Sequence, residues 1–347
     1  MAVNVRDMPS TRVQMLGRDS GYWPVAVTTD GRHVLIVHRA GAGHVGRGGR
    51  LEAFISEDSA ESWSDPVVVL DSDWDDREIA IGATPSGILV AGIATDRAYA
   101  NNDGAPHEDR LDNEARLTRS LDGGYTWEDP RPINIDDYMG FIPFGQCIAL
   151  EDGSMLMPLY GGFDWKDHKK SPAMSAVLRS TDQGLTWEPW TVIAEGMNET
   201  TLLPRKGERL MAVMRSDQDK HLYQSIAHMK TLEWTEPVKI VDHHPGCLVR
   251  LSSGHILLAY GVRTGPSGAR GIISTDEGES WLSDRQIIFG DDATNWDCGY
   301  PTVVTLTGGR LLVAYYTTAQ EDILRCDGAL CHVVVCDERE VLDAIGL

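Results

Sequence analysis

No stretch of this 347-residue chain is long and apolar enough to form a membrane-spanning helix, so no membrane partner is expected. Basic residues are few beside acidic ones, 31 Lys and Arg against 52 Asp and Glu, giving a formal charge of -21. No Lys/Arg-rich run occurs, which argues against nucleic acid as a partner. The acidic excess is scattered and reads as solvated surface, so an anion site would have to be locally basic. None of the six cysteines forms a CxxC pair. Cys326, Cys331 and Cys336 with His332 come nearest to a zinc set, but Cys331 to Cys336 is an apolar strand. They read as buried or free thiols, and neither a metal nor an organic cofactor is expected. A long amphipathic helix is missing, and so is a Pro/Gly/Ser linker, so 1–347 reads as one domain. The tail from Glu338 to Ile345 suits one short turn of helix. Met1 to Met15 carries Arg6, Asp7 and Arg12 and no apolar run, unlike a signal peptide. The expected compartment is the cytoplasm, or the exterior where a leader is removed.

What the chain has instead is repetition. Ser56 to Trp63, Ser120 to Trp127, Ser180 to Trp187 and Ser274 to Trp281 each read Ser-x-Asp-x-x-x-(Ser or Thr)-Trp. Ser225 to Trp234, followed by Thr235-Glu236-Pro237, is a degenerate fifth copy without the Asp and Gly. A repeat of this period points to a solenoid or a propeller. In such a turn the short carboxylate accepts backbone N–H groups and the Trp anchors the turn by burying its ring. These residues therefore report fold and not chemistry.

A second, independent repeat counts the blades. Six segments run apolar, turn, apolar: Val27 to Arg39, Ala83 to Ile93, Ile148 to Tyr160, Leu202 to Arg215, Leu248 to Arg263 and Val303 to Tyr316. Their turn glycines, Gly31, Gly87, Gly153, Gly207, Gly254 and Gly309, lie 47 to 66 residues apart. That is the length of a four-stranded blade. The expected fold is all-β, a six-bladed β-propeller with four-stranded antiparallel blades. Tyr22 to Val27 would supply a strand of the first blade, and Leu330 to Cys336 would close the ring. Asp96 to Glu114 and the segment around His168-Lys169-Lys170 read as loops over one face.

The two repeats together resemble the sialidase-like six-bladed propellers, whose Asp-boxes (BNR repeats) have the pattern quoted above. The resemblance covers nearly the whole chain, and three further segments carry it. Asn198-Glu199-Thr200 leads to Ala212-Val213-Met214-Arg215, like the family segment in which a Glu opens a blade and an Arg ends its second strand. His244-Pro245-Gly246 leads to Leu257 through Arg263, the next blade's Arg. Asp297-Cys298-Gly299-Tyr300-Pro301 is similar to the segment bearing the family's nucleophilic Tyr. Arg39, at the end of the first hairpin, resembles another basic residue of that pocket.

The resemblance implies an exo-acting glycoside hydrolase that releases a terminal, acidic or neutral, sugar from a glycan. Tyr300 would be the nucleophile and Glu199 its base, since a neutral phenol approaches an anionic sugar where a carboxylate is repelled. Arg39, Arg215 and Arg263 would clamp the substrate, with His244 beside them. His44 or Asp76 would be the acid. Trp165, Trp296 and Tyr22 are candidates for stacking on a sugar face. Two positions depart from the family. Gly21-Tyr22-Trp23-Pro24 stands where sialidases have Phe-Arg-Ile-Pro, and the loop Ala40 to Gly46 carries His44 and no Asp. Both open the choice of sugar beyond sialic acid. Two other classes stay open: a carbohydrate-binding propeller without catalysis, and a His-dependent lyase or hydrolase of uronic-acid glycans.

Overall fold

The computed structural model describes residues 2–97, 113–134, 138–164, 174–319 and 328–347. Residues 98–112 of the expected Asp96 to Glu114 loop lie outside them, as do Trp165, His168-Lys169-Lys170 and Cys326. Six antiparallel sheets follow one another along the chain, as the six hairpins require. Blade 1 runs Tyr22–Thr28, Val34–Ala40, Arg50–Ser56 and Val67–Leu70, from the inner strand outward. Blade 2 runs Asp75–Ala83, Leu89–Asp96, Asn113–Ser120 and Arg131–Pro132. Blade 4 runs Met197–Arg205, Arg209–Ser216, Leu222–His228 and Val238–Val241. Blade 5 runs Gly246–Arg250, Ile256–Val262, Ser267–Ser274 and Gln286–Ala293, with Ala2–Asn4 added in parallel at its outer edge. In blade 3 the inner edge is broken. Tyr138–Pro143 and Ile148–Ala149 both pair with Met155–Asp164, while Gly145–Gln146 between them pairs in parallel with blade 2.

Ring closure differs in one detail from the expectation. Leu330–Asp337 is the third strand of blade 6, after Gly299–Leu306 and Arg310–Thr317. The fourth comes from the other end of the chain: Arg12–Arg18 pairs with Leu330–Asp337, from Arg12 opposite Val335 to Arg18 opposite Leu330. The short helix Glu338–Ala344 follows, capped by Asp337, whose side chain accepts from the Glu340 N–H. Cys331 and Cys336 are buried thiols within that third strand.

The sheets are held to one another by six apolar clusters, one at each junction of neighbouring blades. Leu35, Val37, Ile79 and Ile81, for example, join blades 1 and 2. Each fully buried aliphatic side chain contributes roughly 1.5–3 kcal/mol. The Ser-x-Asp repeats cap blades 1, 2, 3 and 5, where the third strand turns into the fourth. In each, the Asp bonds the Ser or Thr four residues on through both backbone N–H and hydroxyl. Asp182 accepts from Thr186 N at 2.9 Å and from Thr186 Oγ1 at 2.6 Å. In blade 4, which lacks the Asp, Ser225 Oγ donates instead to the Thr235 carbonyl at 2.6 Å.

Two measurements test this capping. Asp182→Ala should cost about 1–2 kcal/mol, read as a lower Tm. The bonds from Ser62 hold the Asp58 carboxyl down at about 2, and those from Thr126 do the same for Asp122. A depressed folded-state pKa stabilises above the unfolded value, about 3.9, and that contribution is lost as pH falls toward the folded one. Tm should therefore be insensitive to these groups above about pH 5 and fall between about pH 4 and 2.

Four inner strands share an irregularity at one end. Their pairing slips between Tyr22 and Val25, Asp76 and Ile79, Met197 and Thr200, and Gly299 and Thr302. Each slip is a two-against-one bulge of the kind that re-aims side chains. The residues put out of the ladder are Trp23-Pro24, Arg77-Glu78, Asn198-Glu199 and Tyr300-Pro301. Trp23 and Tyr300 sit at φ +47° and +50°, a left-handed conformation costly for an aromatic residue.

Candidate functional site

The four bulges open at the same end of the propeller, around an aromatic cluster of Tyr22, Trp23, Phe144, Tyr160, Tyr300 and Tyr316. Beneath it the axis is bridged by Gln146, whose amide donates to Ala26 O at 2.9 Å and Val303 O at 3.0 Å. Tyr300 donates its phenolic O–H to Glu199 Oε1. Arg215, on the strand opposite the Glu199 bulge, places Nη1 at 2.9 and 2.8 Å from the two Glu199 oxygens. The sequence-predicted trio is thus assembled from blades 4 and 6. Burial raises the Tyr300 phenol well above its ordinary range, with the Glu199 charge adding to the rise and Arg263 and Arg215 opposing it. Such a phenol loses its proton only to a base already in contact with it.

Arg263 flanks the same ring, its guanidinium carbon 5.3 Å from the Tyr300 centroid. It donates from Nε to Cys298 O at 3.1 Å and from Nη2 to Tyr316 at 3.4 Å. His244 lies close to both arginines, and burial followed by those two charges brings its pKa down to about 2. It is a neutral imidazole with a buried Nδ1 unpartnered among the described residues. Trp296, half exposed, stands at the rim 6.4 Å from the His44 ring. Tyr22, in contrast, is packed inside the aromatic cluster and offers no face to a sugar.

His44 reaches the pocket from the glycine-rich loop after Arg39. Its Nδ1 is 2.9 Å from Asp297 Oδ1, and its ring meets Trp23 edge-on at 4.8 Å. Asp297 also accepts from Tyr316 at 2.5 Å. Burial lowers the His44 pKa, against the pull of Asp297 and with help from Arg77 and Arg263. The imidazole is therefore neutral at neutral pH, with Nε2 left for a substrate.

Two expected site residues are placed elsewhere. Arg39 is fully buried, and its guanidinium is spent on the protein itself. It donates to Asp75, to Asp76 O at 3.0 Å, to Gly43 O at 2.9 Å and to Gly46 O at 3.1 Å. Gly49 passes so near that a Cβ there would fall on the Arg39–Asp75 pair. Arg39 thus shapes the loop that carries His44 and is not a clamp. Asp76 is also fully buried and accepts from Ser72 N at 2.7 Å and Thr95 Oγ1 at 2.7 Å. Through these bonds it braces the strand mouth.

Four residues of the pocket were not expected as site residues: Glu78, Tyr160, Asp297 and Tyr316. Glu78 accepts from Tyr160 at 2.6 Å. One sequence signal for it exists. Glu78 stands nine residues before its turn glycine Gly87, as Tyr300 does before Gly309, while Glu199 stands eight before Gly207. Asp297 and Tyr316 gave no such signal, because their role depends on which loop reaches them.

The model of the BNR repeat-like domain matches residues 56–313. No curated protein matches the chain. Among solved structures, a Dyadobacter fermentans protein of unknown function is similar over 95% of this chain and 100% of its own, at TM-score 0.77 and 18% identity. A Trypanosoma rangeli sialidase in complex with 2,3-difluoro-KDN is similar over 99% of this chain, at TM-score 0.74 and 14% identity. A NanB sialidase from Streptococcus pneumoniae is similar over 96%, at TM-score 0.71 and 12% identity. The chain spans 60% of the trypanosomal protein and 71% of the streptococcal one. At these identities the likeness is one of fold. With the repeat-domain match over most of the chain and four Ser-x-Asp-Trp turns on six blades, the chain belongs to the BNR repeat-like domain family.

Proposed function

We propose that this pocket hydrolyses a terminal glycosidic bond with retention of anomeric configuration, through a covalent bond between the sugar and Tyr300. The observation that carries the reading is the Tyr300 hydroxyl donating to a Glu199 that Arg215 holds from the other side. Glu199 takes the phenolic proton as the Tyr300 oxygen attacks the anomeric carbon, and returns it when water releases the sugar. Arg215 and Arg263 supply positive charge beside the reacting centre, and the neutral His244 suits a ring hydroxyl. The sugar is one that a tyrosine serves better than a carboxylate, and its negative charge, where it has one, meets these arginines.

The test is a panel of sialosides, other ulosonic acid glycosides, uronosides and deoxyhexosides. The expected outcome is a free reducing sugar, formed with retention as followed by NMR. Inversion on an accepted substrate would remove the Tyr300 intermediate. Binding with no released sugar would leave a lectin-like propeller. One feature favours a second reading. A neutral His44 oriented by Asp297 suits a base that removes a proton beside a uronic-acid carboxylate. An unsaturated product absorbing in the near ultraviolet would establish that elimination instead.

A further inference from the structure

A retaining hydrolysis needs a second group, one that gives a proton to the departing oxygen and later takes one from water. Asp76 is turned into its blade, and His44 is neutral and tied to Asp297. Resting on the Tyr300 reading above, we infer that Glu78 is the proton donor to the leaving group, held in place by Tyr160.

Glu78 holds the same structural position as Glu199. Each is the second residue of a two-residue bulge at the mouth of an inner strand, Arg77-Glu78 in blade 2 and Asn198-Glu199 in blade 4. Tyr300 leaves the ladder in blade 6 as the first residue of its own two-residue bulge. The three therefore approach the axis from alternate blades, Glu199 bonded to Tyr300 and Glu78 from the third direction. Contacts close the triangle. Tyr160 donates to Glu78 Oε2 at 2.6 Å, and the Tyr160 and Tyr300 rings pack on Phe144 with centroids at 6.3 and 5.8 Å. Glu78 as a residue is half-buried, whereas Glu199 is almost wholly enclosed.

Protonation suits the role. Burial raises the Glu78 pKa, the Glu199 charge adds to the rise, and Arg77, Tyr160 and Arg215 oppose it. Two carboxyl groups in one pocket then take different parts, as glycosidase pairs do. Glu199 is engaged by Arg215 and Tyr300, which leaves Glu78, whose pKa burial raises, as the carboxyl assigned the proton. In the first step the Tyr300 oxygen bonds the anomeric carbon and its proton passes to Glu199. The glycosidic C–O bond breaks, and the departing oxygen takes the Glu78 proton. In the second step water gives a proton to Glu78 as its oxygen attacks the anomeric carbon. The C–O bond to Tyr300 breaks, and the tyrosine recovers its proton from Glu199.

Two measurements on the full chain test this. Infrared difference spectra of wild type minus Glu78→Gln at neutral pH should show a protonated carboxyl band. Its absence overturns the inference whether or not a substrate is known. The second uses 2,4-dinitrophenyl, 4-nitrophenyl and methyl glycosides of the sugar accepted in the panel. Glu78→Gln keeps an oxygen for Tyr160 but has no proton to give. It should lose about 10²- to 10⁴-fold on the methyl glycoside and less than about tenfold on the dinitrophenyl one. Equal loss across the series, or the graded loss appearing in His44→Asn instead, overturns it. Glu78→Asp, which keeps a carboxyl, is read in the same series should the Gln variant not fold, and graded loss there overturns it too. Full activity of Tyr300→Phe would sink the nucleophile while leaving the Glu78 series readable.

Discussion

Tyr300→Phe should fold like the wild type and lose turnover by at least about 10⁴-fold. The asymmetry follows from the contacts. Removing the hydroxyl takes one hydrogen bond from Glu199, which keeps both contacts to Arg215, so no buried carboxylate is orphaned. The ring keeps its packing against Trp23, Phe144 and Tyr316. Stability should change by about 1 kcal/mol or less. Chemistry, in contrast, loses its nucleophile. Glu199→Gln should show the milder defect of a missing base, about 10²- to 10⁴-fold, because a phenol raised by burial cannot ionise unaided. Intact-mass measurement with a slow substrate should find a sugar adduct on wild type and none on Tyr300→Phe. Turnover surviving in Tyr300→Phe would rule out the nucleophile assignment.

The fold was legible because repeats oversample it. Four Ser-x-Asp-Trp turns and six glycine hairpins encode one architecture ten times over, so a degraded copy such as Ser225 to Trp234 costs nothing. The site is encoded once per residue, and its legibility tracked how local each role is. Glu199, Arg215 and Tyr300 stand at fixed offsets from hairpins, so their meeting could be read from register alone. Arg39 stands eight residues after its turn glycine, as Arg215 does, although it pairs with Tyr22 one step beyond the bulge. What distinguishes it from Arg215 is Asp75, thirty-six residues away, which meets it only after blades 1 and 2 have packed. Asp297 is the converse case. It lies three residues before Tyr300, yet only the loop from blade 1 that brings His44 across reveals its use. Leu330 to Cys336 does close the ring, but its partner Arg12–Arg18 was not legible for the same reason, since it comes from the far end of the chain.

The placement of Arg39 yields the second large effect, on stability. A guanidinium with no exposed surface is tolerated only because its N–H groups are matched by Asp75 and three carbonyls. Arg39→Ala leaves the Asp75 carboxylate buried with its main countercharge gone, which should cost about 3–5 kcal/mol. Asp75→Ala should cost a similar amount by orphaning the arginine. The double variant should be less unstable than the sum of the two, because no isolated charge is left behind. Activity should fall alongside, since the carbonyls of Gly43 and Gly46 that Arg39 holds are those of the loop presenting His44. A substrate clamp predicts a different pattern. Replacing it would raise KM and leave Tm where it was. Denaturant unfolding and steady-state kinetics on the two single variants therefore separate the roles, and an unchanged unfolding midpoint would return Arg39 to the substrate.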